Sequence, residues 1–115
     1  MTTIFHNPNC STSRRTLDLL KARGIEPQVV EYLRAPPSRS ELAELIARMG
    51  IAPRALLRRK EALYGELGLD DPKWTDEQLI ELMIEHPILI ERPIVVTTKG
   101  VRLGRPPESV LEILD

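Results

Sequence analysis

The chain has 115 residues, 42% of them hydrophobic and 29% charged, which is typical of one globular domain, so we expect a single domain over residues 1–115. Sixteen basic and 17 acidic side chains give a net charge of -1, which favours neither a nucleic acid nor a membrane surface as partner. Without a leader-like segment or a long uncharged apolar stretch, the sequence indicates a cytoplasmic protein. One cysteine excludes an internal disulfide, and with only two histidines it argues against a zinc site.

The first third of the sequence predicts a β-α-β unit. Thr2 to His6 reads as a short strand, and an Asn-Pro-Asn turn then leads into a helix from Ser11 to Arg23, which Gly24 ends. A second strand runs from Gln28 to Leu33, before two prolines. Two strands joined by a helical crossover are expected to be parallel.

The middle third reads as helical. Ser38 and Glu41 have capping-box spacing and open a helix that closes at Gly50, and a second helical region begins at Pro53. The helical pattern breaks over residues 65–72. Another capping box, Thr75 with Gln78, opens a helix that ends at His86-Pro87.

The last third predicts two strands and a short helix. Ile94 to Thr97 is β-branched, Lys99-Gly100 makes a turn, and Val101 to Leu103 returns as an antiparallel partner before Pro106-Pro107 and a terminal helix. The fold class is therefore α/β: a thioredoxin-like mixed sheet, β-α-β then β-β-α, with a helical insertion between the halves.

Cys10 lies where the first strand gives way to the first helix. Free backbone N–H groups and the helix dipole favour an anion there, which lowers a thiol pKa and leaves the sulfur nucleophilic. The alternative is an inert buried thiol, since free cysteine is among the most buried residue types. A cysteine-based phosphatase would need arginine six positions after the cysteine, and that residue is Thr16.

Arg92 and Arg105 flank the two last strands, so they are expected to lie close in space and to form an oxyanion site beside a thiolate. Pro93 either marks an edge strand or adopts the cis form, and from its position alone we expect an edge strand. Arg58 belongs to a basic cluster whose spacing alone indicates a solvated face. His6 lies four residues before Cys10, near enough to influence the thiol, or to be satisfied by backbone atoms.

The segment His6-Asn7-Pro8-Asn9-Cys10-Ser11-Thr12-Ser13-Arg14 resembles the glutaredoxin-linked arsenate reductases, which carry His-Asn-Pro-x-Cys-x-Thr-Ser-Arg. The resemblance extends over nearly the whole chain. Further matching segments are Glu31-Tyr32-Leu33, Pro36-Pro37, Arg54-Ala55-Leu56-Leu57-Arg58, His86-Pro87-Ile88-Leu89-Ile90, Arg92-Pro93-Ile94-Val95-Val96 and Arg105-Pro106.

The resemblance implies reduction of arsenate to arsenite by a monomer with no bound cofactor, with glutathione as co-substrate and glutaredoxin as partner. Cys10 would be the nucleophile, with His6 and Ser13 keeping its sulfur ionised and oriented. The oxyanion would be held by three arginines: Arg58, Arg92 and Arg105. Pro93 would be the cis-proline that faces the cysteine in this fold.

Some relatives place a cysteine just before the last arginine and continue into a longer tail, whereas this chain has Gly104 there and ends at Asp115. We expect that neither this additional cysteine nor the longer tail is required for the chemistry. Three alternatives stay open: a glutathione-dependent thiol reductase without arsenate activity, a redox regulator that binds RNA polymerase, and a binding module with an inert Cys10. The regulators often use Cys-x-x-Cys, and Ser13 occupies the second position here.

Overall fold

The computed structural model describes residues 1–114, which divide into two compact units. The sheet unit comprises Met1–Ala35 and the residues from Arg92 on, and the helical unit is Pro36–Glu91. The single domain stays a prediction, and Asp115, its last residue, lies outside the described residues.

The sheet unit contains four strands: β1 (Thr3–His6), β2 (Gln28–Glu31), β3 (Ile94–Thr97) and β4 (Gly100–Leu103). Their order is β2-β1-β3-β4; β1 is parallel to β2 and antiparallel to β3, and β3 is antiparallel to β4. The predicted thioredoxin-like mixed sheet is confirmed. The edge-strand prediction for Pro93 is wrong, because β3 pairs on both sides; the Arg92-Pro93 bond is cis.

One helix and one 3-10 segment complete the sheet unit. Helix α1 spans Ser11–Ala22, and the 3-10 segment Pro107–Ile113 takes the place of the predicted terminal helix. Their apolar residues join those of the central strands in one core: Ile4, Leu20, Val95, Val110, Ile113 and Leu114, with Leu17, Leu19 and Ile25 packed against it. The core fixes the start of α1 relative to the ends of β1 and β3.

The helical unit contains α2 (Arg39–Met49), α3 (Ala62–Glu66) and α4 (Asp76–Glu85), with 3-10 turns at Pro53–Leu56 and Pro87–Leu89. Both predicted capping boxes are present, at the start of α2 and of α4. Helix α3 falls partly in the region where the helical pattern breaks, so that boundary was wrong. Helix α4 contacts α2 and both 3-10 turns.

Candidate active site

Cys10 is the N-cap of α1, in extended conformation with φ -99° and ψ 122°. Its N–H donates to Asn7 O at 3.0 Å, and its carbonyl accepts the first helical bond from Arg14 N–H, also at 3.0 Å. Asn7 Oδ1 accepts from Asn9 N–H at 2.9 Å, an Asx turn that shapes the loop. The sulfur therefore takes the position in which Ser or Asp usually caps a helix.

Burial of Cys10, which is 9% exposed, would by itself raise its pKa, but three donors outweigh that effect. The backbone N–H of Ser13, the third residue of α1, lowers the pKa most, although no capping bond of full geometry forms in the described chain. The guanidinium groups of Arg92 and Arg105 lower it further. The net result is a thiol pKa below its ordinary value, which is what a nucleophile needs at neutral pH.

Arg105 and Arg92 lie together at this thiol, as their positions around the hairpin predict. Arg105 Nη1 lies 3.9 Å from Cys10 Sγ and donates to Arg92 O at 2.9 Å. Arg92 itself is 6% exposed. The side chains of both arginines interact with the Cys10 sulfur, so two guanidinium groups converge on it, a geometry that suits a tetrahedral oxyanion bonded to it.

His6 contacts Ser13 through their side chains: His6 Nδ1 and Ser13 Oγ are 2.6 Å apart. Ser13 Oγ also accepts from Asn7 N–H at 3.1 Å, and all three residues are buried. Burial lowers the pKa of His6, Glu31 opposes this, and the charges of Arg14 and Lys21 add to it. The neutral ring therefore holds Ser13 in place, and the backbone N–H of Ser13 acts on the sulfur.

Arg58 belongs to the helical unit and is paired there with two carboxylates. Its Nη1 lies 2.9 Å from Glu91 Oε1, and its Nε lies 3.5 Å from Glu61 Oε2. Spacing alone predicts that Arg58 lies on a solvated face, whereas the structure shows it in ion pairs with two carboxylates. Its part in oxyanion binding stays a prediction.

Sequence reasoning gave no part in the site to two buried residues that contact each other directly before Arg105, Thr16 and Gly104. Thr16 is fully buried in α1, and Gly104 N–H donates to Pro93 O at 2.8 Å. The signal for Thr16 was its helical spacing from Ser13 and Leu20, with which it forms the buried side of α1. Gly104 stands where some relatives have cysteine, and the sequence alone gives no structural reason for this difference.

Fold and site define the class of the protein: a thioredoxin-like fold with an activated thiol at the start of its first helix. A family model described as the ArsC family matches residues 5–113, and the chain belongs to this family.

Named relatives span most of the chain. It is 60% identical over 112 residues to an arsenate reductase of Escherichia coli, covering 97% of this chain and 79% of that protein. It is 51% identical to the protein named uncharacterized protein YfgD of Escherichia coli strain K12, covering 96% and 94% respectively. The solved structure of an arsenate reductase from Vibrio cholerae has a TM-score of 0.95 at 54% identity, over 98% of this chain and 97% of that one.

No helix within residues 1–114 is long and apolar enough to cross a membrane. No cluster of three or more His, Cys, Asp or Glu side chains in the same range could hold a metal ion.

Proposed function

We propose that this protein reduces arsenate to arsenite, with Cys10 as the nucleophile and glutathione and glutaredoxin as the source of electrons. The observation that carries the proposal is the Cys10 sulfur at the start of α1, with Arg105 Nη1 at 3.9 Å and the Arg92 side chain also acting on it. Relatives named arsenate reductase, at up to 60% identity over 97% of the chain, support the same substrate.

In the first step the Cys10 thiolate attacks arsenic, forming a sulfur–arsenic bond, and one arsenate hydroxyl leaves as water after taking a proton from solvent. The remaining oxygens carry negative charge. Arg92 and Arg105 neutralise it, and Arg58 joins them in this proposal. Ser13 acts through its backbone N–H, and His6 acts as a positioning residue by holding Ser13.

Reduction then uses thiols from outside the chain. Glutathione displaces a second hydroxyl, again as water, and forms a second sulfur–arsenic bond. The glutaredoxin thiolate attacks the glutathione sulfur, so a mixed disulfide leaves and the electron pair of the broken bond stays on arsenic. Water finally displaces arsenite, now As(III), from Cys10. Because the sequence contains one cysteine, no resolving thiol is available within it.

The protein acts as a monomer without a bound cofactor, in the cytoplasm, where glutathione and glutaredoxin keep thiols reduced. Glutathione is a co-substrate consumed in each turnover, so activity follows its concentration.

The test is arsenate-dependent NADPH oxidation in an assay with glutathione, glutathione reductase and glutaredoxin, comparing the protein with its Cys10→Ser variant. We expect turnover that requires arsenate and all thiol components and disappears in the variant. Disulfide reduction without arsenate turnover would instead identify a glutathione-dependent thiol reductase. Capture of RNA polymerase without any turnover would identify a regulator, and slow alkylation of Cys10 at neutral pH would identify an inert thiol.

A further inference from the structure

Gly104, immediately before Arg105, is buried in a slot too narrow for any side chain. A Cβ atom at this position would lie 2.8 Å from Thr16 Oγ1, 3.0 Å from Thr16 Cγ2 and 2.9 Å from Pro93 Cγ. Nonbonded carbon atoms pack best at about 3.5–4.0 Å, so even one methyl group would need a shift of roughly half an ångström or more. Close approach, and not an unusual backbone angle, therefore favours glycine at this position of this chain, where some relatives carry cysteine.

Both walls of this slot are held in place. Thr16 is fully buried, and its Oγ1 donates to Thr12 O at 2.9 Å while lying 3.4 Å from Gly104 O. On the other side, Pro93 is buried directly before β3, which pairs with a strand on each side, and Gly104 N–H donates to Pro93 O at 2.8 Å. A side chain at position 104 would therefore displace the Gly104 backbone more readily than either wall.

The backbone of Gly104 continues directly into Arg105, whose guanidinium reaches the site. Arg105 Nη1 donates to Arg92 O at 2.9 Å and lies 3.9 Å from Cys10 Sγ. The second distance is already long for a hydrogen bond to sulfur, so a shift of a few tenths of an ångström weakens it.

We propose that Gly104 and Thr16 are positioning residues, and that their close contact sets how near the Arg105 guanidinium comes to the Cys10 sulfur. The arsenate part of this inference rests on the proposed function. The effect on the reactivity of Cys10 does not rest on the proposed function, because it concerns only groups of the sheet unit.

The test compares the intact protein with Gly104→Ala, Thr16→Ala, the double variant Thr16→Ala/Gly104→Ala, and Gly65→Ala. Gly65 is a matched control, since a Cβ atom there would meet no atom within 4 Å. Iodoacetamide alkylation of Cys10 is followed from pH 5 to 10, the KM for arsenate is measured in the coupled assay, and thermal unfolding checks that each variant is folded.

For Gly104→Ala we expect half-maximal alkylation to move toward the ordinary thiol value of about 8.5, and alkylation at pH 7 to fall about 3- to 10-fold. The KM for arsenate rises with it. Removing the Thr16 wall in the double variant restores part of both losses, because two of the three closest atoms, Thr16 Oγ1 and Cγ2, are then absent. Gly65→Ala leaves both unchanged.

A folded Gly104→Ala variant with an unchanged alkylation profile overturns the inference, even if its unfolding temperature falls. If Gly104→Ala does not fold, the double variant is compared with Thr16→Ala. An alkylation profile equal to that of Thr16→Ala overturns the inference, whereas a profile shifted to higher pH than that of Thr16→Ala supports the inference. A shifted profile in a protein that never turns over arsenate overturns the proposed function and supports the positioning role.

Discussion

Two opposing effects act on the pKa of the Cys10 thiol at the start of α1. Removal from water disfavours the thiolate, while the Ser13 N–H and two guanidinium groups favour it, and the second effect is the larger. A modest change in either guanidinium therefore shifts the balance. The activation of the thiol depends on residues that are distant in sequence.

Replacing Arg105 by Gln tests this balance. Loss of a cation beside the sulfur raises the Cys10 pKa, so we expect half-maximal alkylation at higher pH and kcat/KM for arsenate lower by roughly tenfold or more, the size of a lost charge-assisted hydrogen bond. Arg102→Gln is the control, since Arg102 pairs with the exposed Glu112 at 3.2 Å. Equal effects of the two substitutions would contradict the assignment of Arg105.

Ser13→Ala separates the hydroxyl of Ser13 from its backbone N–H. The substitution leaves His6 Nδ1 and Asn7 N–H buried without the Ser13 hydroxyl, so we expect the free energy of unfolding to fall by about 1–3 kcal/mol. The backbone N–H remains, so the alkylation profile shifts less than in Arg105→Gln. Urea unfolding measures the change in stability, and alkylation of Cys10 measures the change in thiol reactivity. Ser11→Ala is the control, because Ser11 is an exposed residue of the same helix and its replacement is expected to change neither quantity.

At the level of elements, local rules predicted most boundaries. The capping boxes at Ser38 and Thr75 opened helices as expected, and Gly50 ended α2 in the left-handed conformation, with φ 71°. What failed depended on partners elsewhere in the chain. Pro93 was expected at an edge because nothing local reveals that β3 pairs with both β1 and β4.

The residues of the candidate site also differ in how far local sequence could predict them. Cys10 and the helix start were predictable from neighbouring residues, and Arg92 and Arg105 from the hairpin that brings them together. The contact of Thr16 with Gly104 was not predictable, because it joins residues 88 positions apart through packing that no pattern records.

Two glycines offer a test of helix termination. Gly50 and Gly65 both have open space around a would-be Cβ, but only Gly50 has a positive φ. Gly50→Ala is expected to lower the free energy of unfolding by about 1 kcal/mol through backbone strain, whereas Gly65→Ala, inside α3, raises it by up to about 1 kcal/mol. Urea unfolding of both variants measures the difference, and equal values would contradict the role given to φ.

For the molecule as a whole, His6 couples folding to pH. Its folded-state pKa is lowered, mainly by burial, so the folded state favours the neutral ring. Protons therefore bind the unfolded chain in preference to the folded one. The contribution of neutral His6 to the free energy of unfolding is complete above about pH 6.5, the pKa in the unfolded chain, and is lost as pH falls through the lowered pKa of the folded state.

We therefore expect His6→Gln to flatten the decline of unfolding free energy between about pH 7 and 5 relative to the intact protein. The measurement is urea unfolding at several pH values. His86→Gln replaces the other histidine of the chain and serves as the control. An unchanged slope in His6→Gln would assign the decline to other groups.

The order of residues along the chain has a consequence for synthesis. Cys10 leaves the ribosome before the whole helical unit, and β3, Arg92 and Arg105 follow only after that unit. Domains are made from the N-terminus and acquire long-range contacts late, so the nascent thiol lacks its two guanidinium neighbours. A growing chain thus carries a thiol with less thiolate character, and the sulfur becomes fully nucleophilic when the central sheet is complete.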